Sequence, residues 1–166
     1  ENAYTNGDCE AAIGSLEKYL GNHPKGHYLL NAHYYKADCH LKLGQMEEAI
    51  VSLDYIVEQP RNMFSEPALV AASEINFLSE NYNKAVDNFL QLLEVAEEPA
   101  NISNSLVGMM RCYYKLHEHS NTIKAATEVL NIEKLQAEIQ REAWFDIAKS
   151  YTAINNIDMA LEYYER

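Results

Sequence analysis

Among the side chains that could carry chemistry, the six histidines come first, since a neutral imidazole is both a metal ligand and a base active near neutral pH. His33 and His40 form the best pair. Seven helical residues separate them by about 10 Å along an axis, too far to share one ion, so half-buried structural histidines are expected. His117 and His119 flank Glu118 in a polar turn, where a metal site would need a further ligand and none is apparent. Solvated loop polarity accounts for them.

The three cysteines, Cys9, Cys39 and Cys112, are widely separated and show no CxxC spacing, so the sequence signals neither a disulfide framework nor a zinc site. They read as small apolar fillers at helix contacts. No nucleophile elbow, phosphate-binding glycine loop, HExxH pair or dinucleotide fingerprint occurs. The acidic pairs Glu47-Glu48 and Glu97-Glu98 suit helix ends, where solvation and the helix dipole explain them. The sequence therefore offers no catalytic residue, no cofactor site and no metal site, and an enzyme is not expected.

The elements that position these residues follow from composition and repetition. With 48% hydrophobic residues, the 166-residue chain has the material for a packed core. Four prolines and six glycines leave room for long helices. Thirteen basic against 25 acidic residues give a net charge of -12, which repels phosphate backbones and anionic lipid surfaces. Nucleic acid is not an expected partner, and no apolar run is long enough for membrane insertion of this segment. The chain opens on Glu1 and closes on Tyr163-Tyr164-Glu165-Arg166 within an apolar-periodic stretch. It is expected to be a fragment of a longer protein, with self-association through incomplete terminal repeats a possible consequence.

Aligned on itself, the chain repeats. A short polar turn and a small-residue marker recur at Ala12, Ala49, Ala85, Thr122 and Ala160, at steps of 37, 36, 37 and 38 residues. Apolar stripes at helical spacing lie before and after the markers, such as Tyr34, Ala37 and Leu41 before the second and Leu53 and Ile56 after it. Each unit is a helix, a tight turn and a second helix. One such hairpin cannot bury both apolar faces, so neighbours must stack.

Trp144-x-x-Ile147-Ala148-x-x-Tyr151 followed by Ala160-x-x-x-Tyr164 resembles the skeleton of tetratricopeptide repeats. Ala49-x-x-x-Leu53 with Pro60, Ala12-x-x-x-Leu16 with Pro24, and Ala85-x-x-x-Phe89 extend the resemblance over the whole chain. Repeats are expected at about 1–25, 27–60, 66–99, 103–133 and 141–166, the first and last incomplete. His117 in place of the turn glycine and Thr122 in place of the small alanine make the fourth the most divergent. The 36-to-38-residue step is similar to that of longer-spaced bacterial envelope repeats, which slightly favours a periplasmic or outer-membrane-associated location over the cytoplasm.

The resemblance implies an all-α, right-handed superhelical solenoid of antiparallel helix pairs that binds a protein or peptide segment in its concave groove. In that family the second, fifth, ninth and twelfth positions of each repeat point into the groove, which here selects Tyr34, Asp38, Glu74, Phe77, Arg111, Tyr114, Phe145 and Lys149. Acidic residues fall in the first half and basic ones in the second. The Lys and Asn clamp of chaperone-binding members is absent. The alternative expectation is a structural or dimerising repeat region that serves a functional domain elsewhere in the protein.

Overall fold

The computed structural model describes residues 2–166. Among them are ten helices and no strand: α1 Asn2–Thr5, α2 Cys9–Asn22, α3 Leu29–Lys42, α4 Met46–Val57, α5 Ser65–Leu78, α6 Tyr82–Val95, α7 Pro99–Lys115, α8 His119–Leu130, α9 Ala137–Ala153 and α10 Ile157–Tyr164. The chain divides into two compact units, Glu1–Ile75 and Asn76–Arg166.

Five turns separate the helices of successive pairs, and all five close alike. The backbone N–H of Asp8 donates to the Ala3 carbonyl at 2.9 Å, Gln45 to His40 at 2.8 Å, Asn81 to Asn76 at 2.8 Å, Glu118 to Tyr113 at 2.9 Å and Asn156 to Tyr151 at 2.9 Å. This six-to-one bond satisfies a carbonyl that a helix end leaves orphaned, and it requires a left-handed residue just before the donor. Gly7 and Gly44 supply it at φ 78° and 74°, while Glu80, His117 and Asn155 adopt φ 59°, 58° and 59° with a side chain in place. The divergent fourth turn therefore keeps its shape, and His117 carries the conformational cost that glycine avoids. After the turn, Asp8 caps α2 by accepting from the Ala11 N–H at 3.1 Å, and Asn156 caps α10 by accepting from Met159 at 3.4 Å.

Such short turns fold α4 back along α3, α8 along α7 and α10 along α9. In the first unit α3 packs on α4 and α2 on α3. Ala37 and Ala49 let α3 and α4 approach closely, and Leu53, Ile56, Phe64, Ala68 and Ala72 fill the space beside them. Cys9, Ala12 and Cys39 form a smaller cluster under α1.

In the second unit α6, α7, α8, α9 and α10 pack each on the next. Met110, Ala125, Ala126, Val129, Ala143 and Ile147 make the core. Gly108 lies against Phe89, and a Cβ there would sit 2.3 Å from the ring. All five marker positions are buried, Thr122 included, whose hydroxyl donates to the Glu118 carbonyl at 3.1 Å. That bond lets a polar residue occupy a fully enclosed position. No helix among the described residues is long and apolar enough to cross a membrane.

Candidate functional site

His33 and His40 have structural partners. His33 stacks on Tyr55 at 3.9 Å between ring centres and lies 3.4 Å from the Ser52 hydroxyl, and burial lowers its pKa. His40 is buried, with Nδ1 2.7 Å from Gln45 Oε1. The His117 and His119 rings stand 6.2 Å apart. No group of three or more potential metal ligands occurs among the described residues.

In the first unit, Tyr34 and Asp38 occupy one side of α3, four residues and so one turn apart. Tyr34 stacks on Phe64 at 4.5 Å, and its hydroxyl is harder to ionise because of burial and the nearby Asp38 carboxylate. Asp38 accepts from the Tyr4 hydroxyl at 2.7 Å and pairs with Lys42 at 2.6 Å. The Lys42 ammonium also lies 5.0 Å from the Tyr4 ring centre. This small network ties α1 to α3. Glu74, on α5, is exposed.

In the second unit, Phe77 packs edge-on to Tyr82 at 5.6 Å. The remaining four residues come together on α7 and α9, the first helices of two neighbouring pairs. Arg111 reaches from α7 to α9 and forks onto Glu142, Nε to Oε1 and Nη2 to Oε2, each at 2.7 Å. A bidentate guanidinium–carboxylate pair fixes both distance and angle, and that hydrogen bonding raises the Arg111 pKa. One turn after Glu142 lies Asp146, which is 5% exposed and receives no hydrogen bond to its carboxylate from the described residues. Burial first, and the Glu142 charge second, push it up to about 7, with Arg111 and Lys115 pulling only partly against them.

Around this buried charge stands an aromatic and cationic rim. Phe145 is 50% exposed; Lys149 hangs over its ring at 5.5 Å and Tyr164 meets it edge-on at 6.5 Å. The Tyr114 hydroxyl is harder to ionise because of burial first and the Asp146 charge second. The face thus presents apolar ring area beside charges that are locked in place. No side chain there is arranged as a nucleophile with a base.

Sequence reasoning did not single out Glu142 or Asp146. Glu142 was within reach, because it occupies the second position of its repeat, one of the positions that the resemblance assigns to a groove. Asp146 had no such signal, since its burial depends on how α7 lies across α9.

Residues 31–60 and residues 142–166 each match a family model described as Tetratricopeptide repeat. No curated protein sequence matches the chain significantly. Among solved structures, a crystal structure of MamA is similar over 99% of this chain and 89% of its own, with 20% identity and a TM-score of 0.65. A MamA segment from Desulfovibrio magneticus RS-1 matches over 99% and 86%, with 13% identity and a TM-score of 0.62. Nearly identical TPR-like repeats of a putative kinesin light chain from Podosopora anserina match over 99% and 87%, with 19% identity and a TM-score of 0.55. These likenesses establish the fold, and the two matched segments fall on the helix pairs α3–α4 and α9–α10. Residues 31–60 and 142–166 are thus similar to tetratricopeptide repeats, and the chain has the fold of TPR-like solved structures.

Proposed function

We propose that the chain is a non-catalytic protein-interaction scaffold, and that the α7–α9 face of its second unit takes an extended or helical segment of a protein partner. The observation that carries this reading is Phe145. A half-exposed ring, with Lys149 over it and the Arg111–Glu142 pair beside it, combines contact area with fixed charge. Interfaces draw much of their affinity from such aromatic anchors and their orientation from the surrounding charges. A net charge of -12 favours a basic partner over an acidic one.

The test is capture from native lysate with the wild-type chain, a Phe145→Ala/Lys149→Glu variant and a control, Glu128→Lys, exposed on α8. A partner lost only by the first variant, which removes the anchor and reverses the adjacent charge, supports the reading. Equal capture by all three places binding elsewhere.

A second reading has its own observation. Ile157, Leu161 and Tyr164 are 49%, 55% and 49% exposed and follow one face of α10. An uncovered apolar stripe favours stacking on another helix pair, and so a structural or self-associating role. Capture of nothing, together with a concentration-dependent oligomer in sedimentation that Leu161→Glu abolishes, would favour this role over groove binding.

A further inference from the structure

On the docking reading above, we propose that Asp146 is the recognition point of the α7–α9 face and takes a cationic side chain, lysine or arginine, from the docked protein segment. Helix register places it there. Glu142, Phe145, Asp146 and Lys149 follow the i, i+3, i+4, i+7 spacing of one side of α9. The Arg111–Glu142 fork, with both bonds at 2.7 Å, turns that side towards α7 and fixes the offset of the two helices. Both are first helices of their pairs and run the same way, so one turn beyond the fork Lys115 comes on α7 and Asp146 on α9. Asp146 therefore lies in the seam between the helices, on the stripe that carries the exposed Phe145 ring.

The cations already at the seam leave Asp146 unpaired. Arg111 commits its fork to both Glu142 oxygens, and the Lys149 ammonium stands over the Phe145 ring at 5.5 Å. Lys115 is exposed and makes no ion pair among the described residues. Asp146 is only 5% exposed, and a carboxylate enclosed to that degree without a partner is costly. Its oxygens are nevertheless not among the fully enclosed unpartnered atoms of the described residues, so the exposure it keeps includes the group that carries the charge. An ammonium or guanidinium on a long apolar stem fits this arrangement. The head reaches a recessed carboxylate while the methylenes cover the neighbouring ring. A neutral donor would leave the charge uncompensated, and an anion would meet Glu142 and Asp146 together. Any proton that Asp146 holds passes to solvent as the cation binds.

The probe is a library of random peptides displayed on phage, selected on the full chain at neutral pH, with the enriched peptides synthesised and titrated by calorimetry. They are expected to share a lysine or arginine and to lose affinity for Phe145→Ala. Replacing that lysine by norleucine, or that arginine by citrulline, should weaken binding to the wild type by about tenfold or more and to Asp146→Asn by less than about twofold. Circular dichroism checks that Asp146→Asn is folded, and the replacement in the peptide tests the same contact against the unaltered chain. Peptides that need Phe145 but share no cation, or whose replacement costs the same on the wild type and Asp146→Asn, would overturn the role of Asp146 and leave the docking face standing. Lys115 turning inward to hold the carboxylate would give that result. Enrichment of no peptide, or of peptides that bind Phe145→Ala as tightly as the wild type, would overturn the docking face and the role of Asp146 with it.

Discussion

Replacing Asp146 with asparagine tests whether the α7–α9 face holds a buried carboxylate whose charge the fold opposes. The ordinary carboxyl value is 3.8 and the folded environment moves it to about 7. Between those values the folded state keeps a proton that the unfolded state releases. Stability from this group is therefore greatest below about pH 4, falls as pH rises towards 7, and is constant above that. A shift of about three units corresponds to roughly 4 kcal/mol as a ceiling, at about 1.4 kcal/mol per unit. Relaxation of the helices and entry of water reduce it.

Asparagine keeps the volume and removes the titration. Urea unfolding, followed by circular dichroism at pH 5 and pH 8, gives the difference between variant and wild type at each pH. Groups common to both chains cancel in that difference, including Glu17, whose carboxyl is pulled below its usual value by hydrogen bonding and charge from Lys36. The variant should gain on the wild type by about 2–3 kcal/mol between pH 5 and pH 8, the part of the ceiling that lies in this window. A difference that is the same at both pH values would refute the reasoning, because it would mean that Asp146 reaches water or a partner when ionised.

Two stability predictions follow from backbone and packing. Gly108→Ala should destabilise the second unit by about 1–3 kcal/mol, since its Cβ would meet the Phe89 ring carbons at 2.3, 2.4 and 2.6 Å; an unchanged thermal midpoint would show that Phe89 can move aside freely. His117→Gly should stabilise the chain by about 0.5–1 kcal/mol, because the left-handed φ of 58° costs a residue with a Cβ more than glycine loses in chain entropy. Chemical denaturation would read that gain, and a loss would mean that the His117 side chain makes a contact worth more than the strain.

The repeat was legible in the residues because its causes are local. A small residue at each helix crossing and apolar stripes at helical spacing are written into the chain at Ala12, Ala49, Ala85 and Ala160, and each of these is buried. Thr122 and His117 broke the letter of the pattern but not its geometry. A threonine satisfies its own hydroxyl within the helix, and five turns make the same closing bond whether glycine is present or not. Length and charge sufficed to set aside nucleic acid as an expected partner, since net repulsion needs no structure to evaluate.

The tertiary structure decided what depends on one helix lying against another. The sequence marked Arg111 and Lys149 as the basic half of a groove, and packing of α7 on α9 gave Arg111 a bidentate partner in Glu142 and left Asp146 buried beside them. It set Met110 in a fully buried place where neighbouring repeats carry Ala37, Ser73 and Ala148, with Gly108 opening room for Phe89 on the same helix. It brought Cys9 to Cys39 from thirty residues away. Periodicity follows from the covalent geometry of a single helix, so a sequence displays it. Which charges meet and which are buried depends on the angle and offset between helices, and that emerges only when the whole set of side chains packs at once.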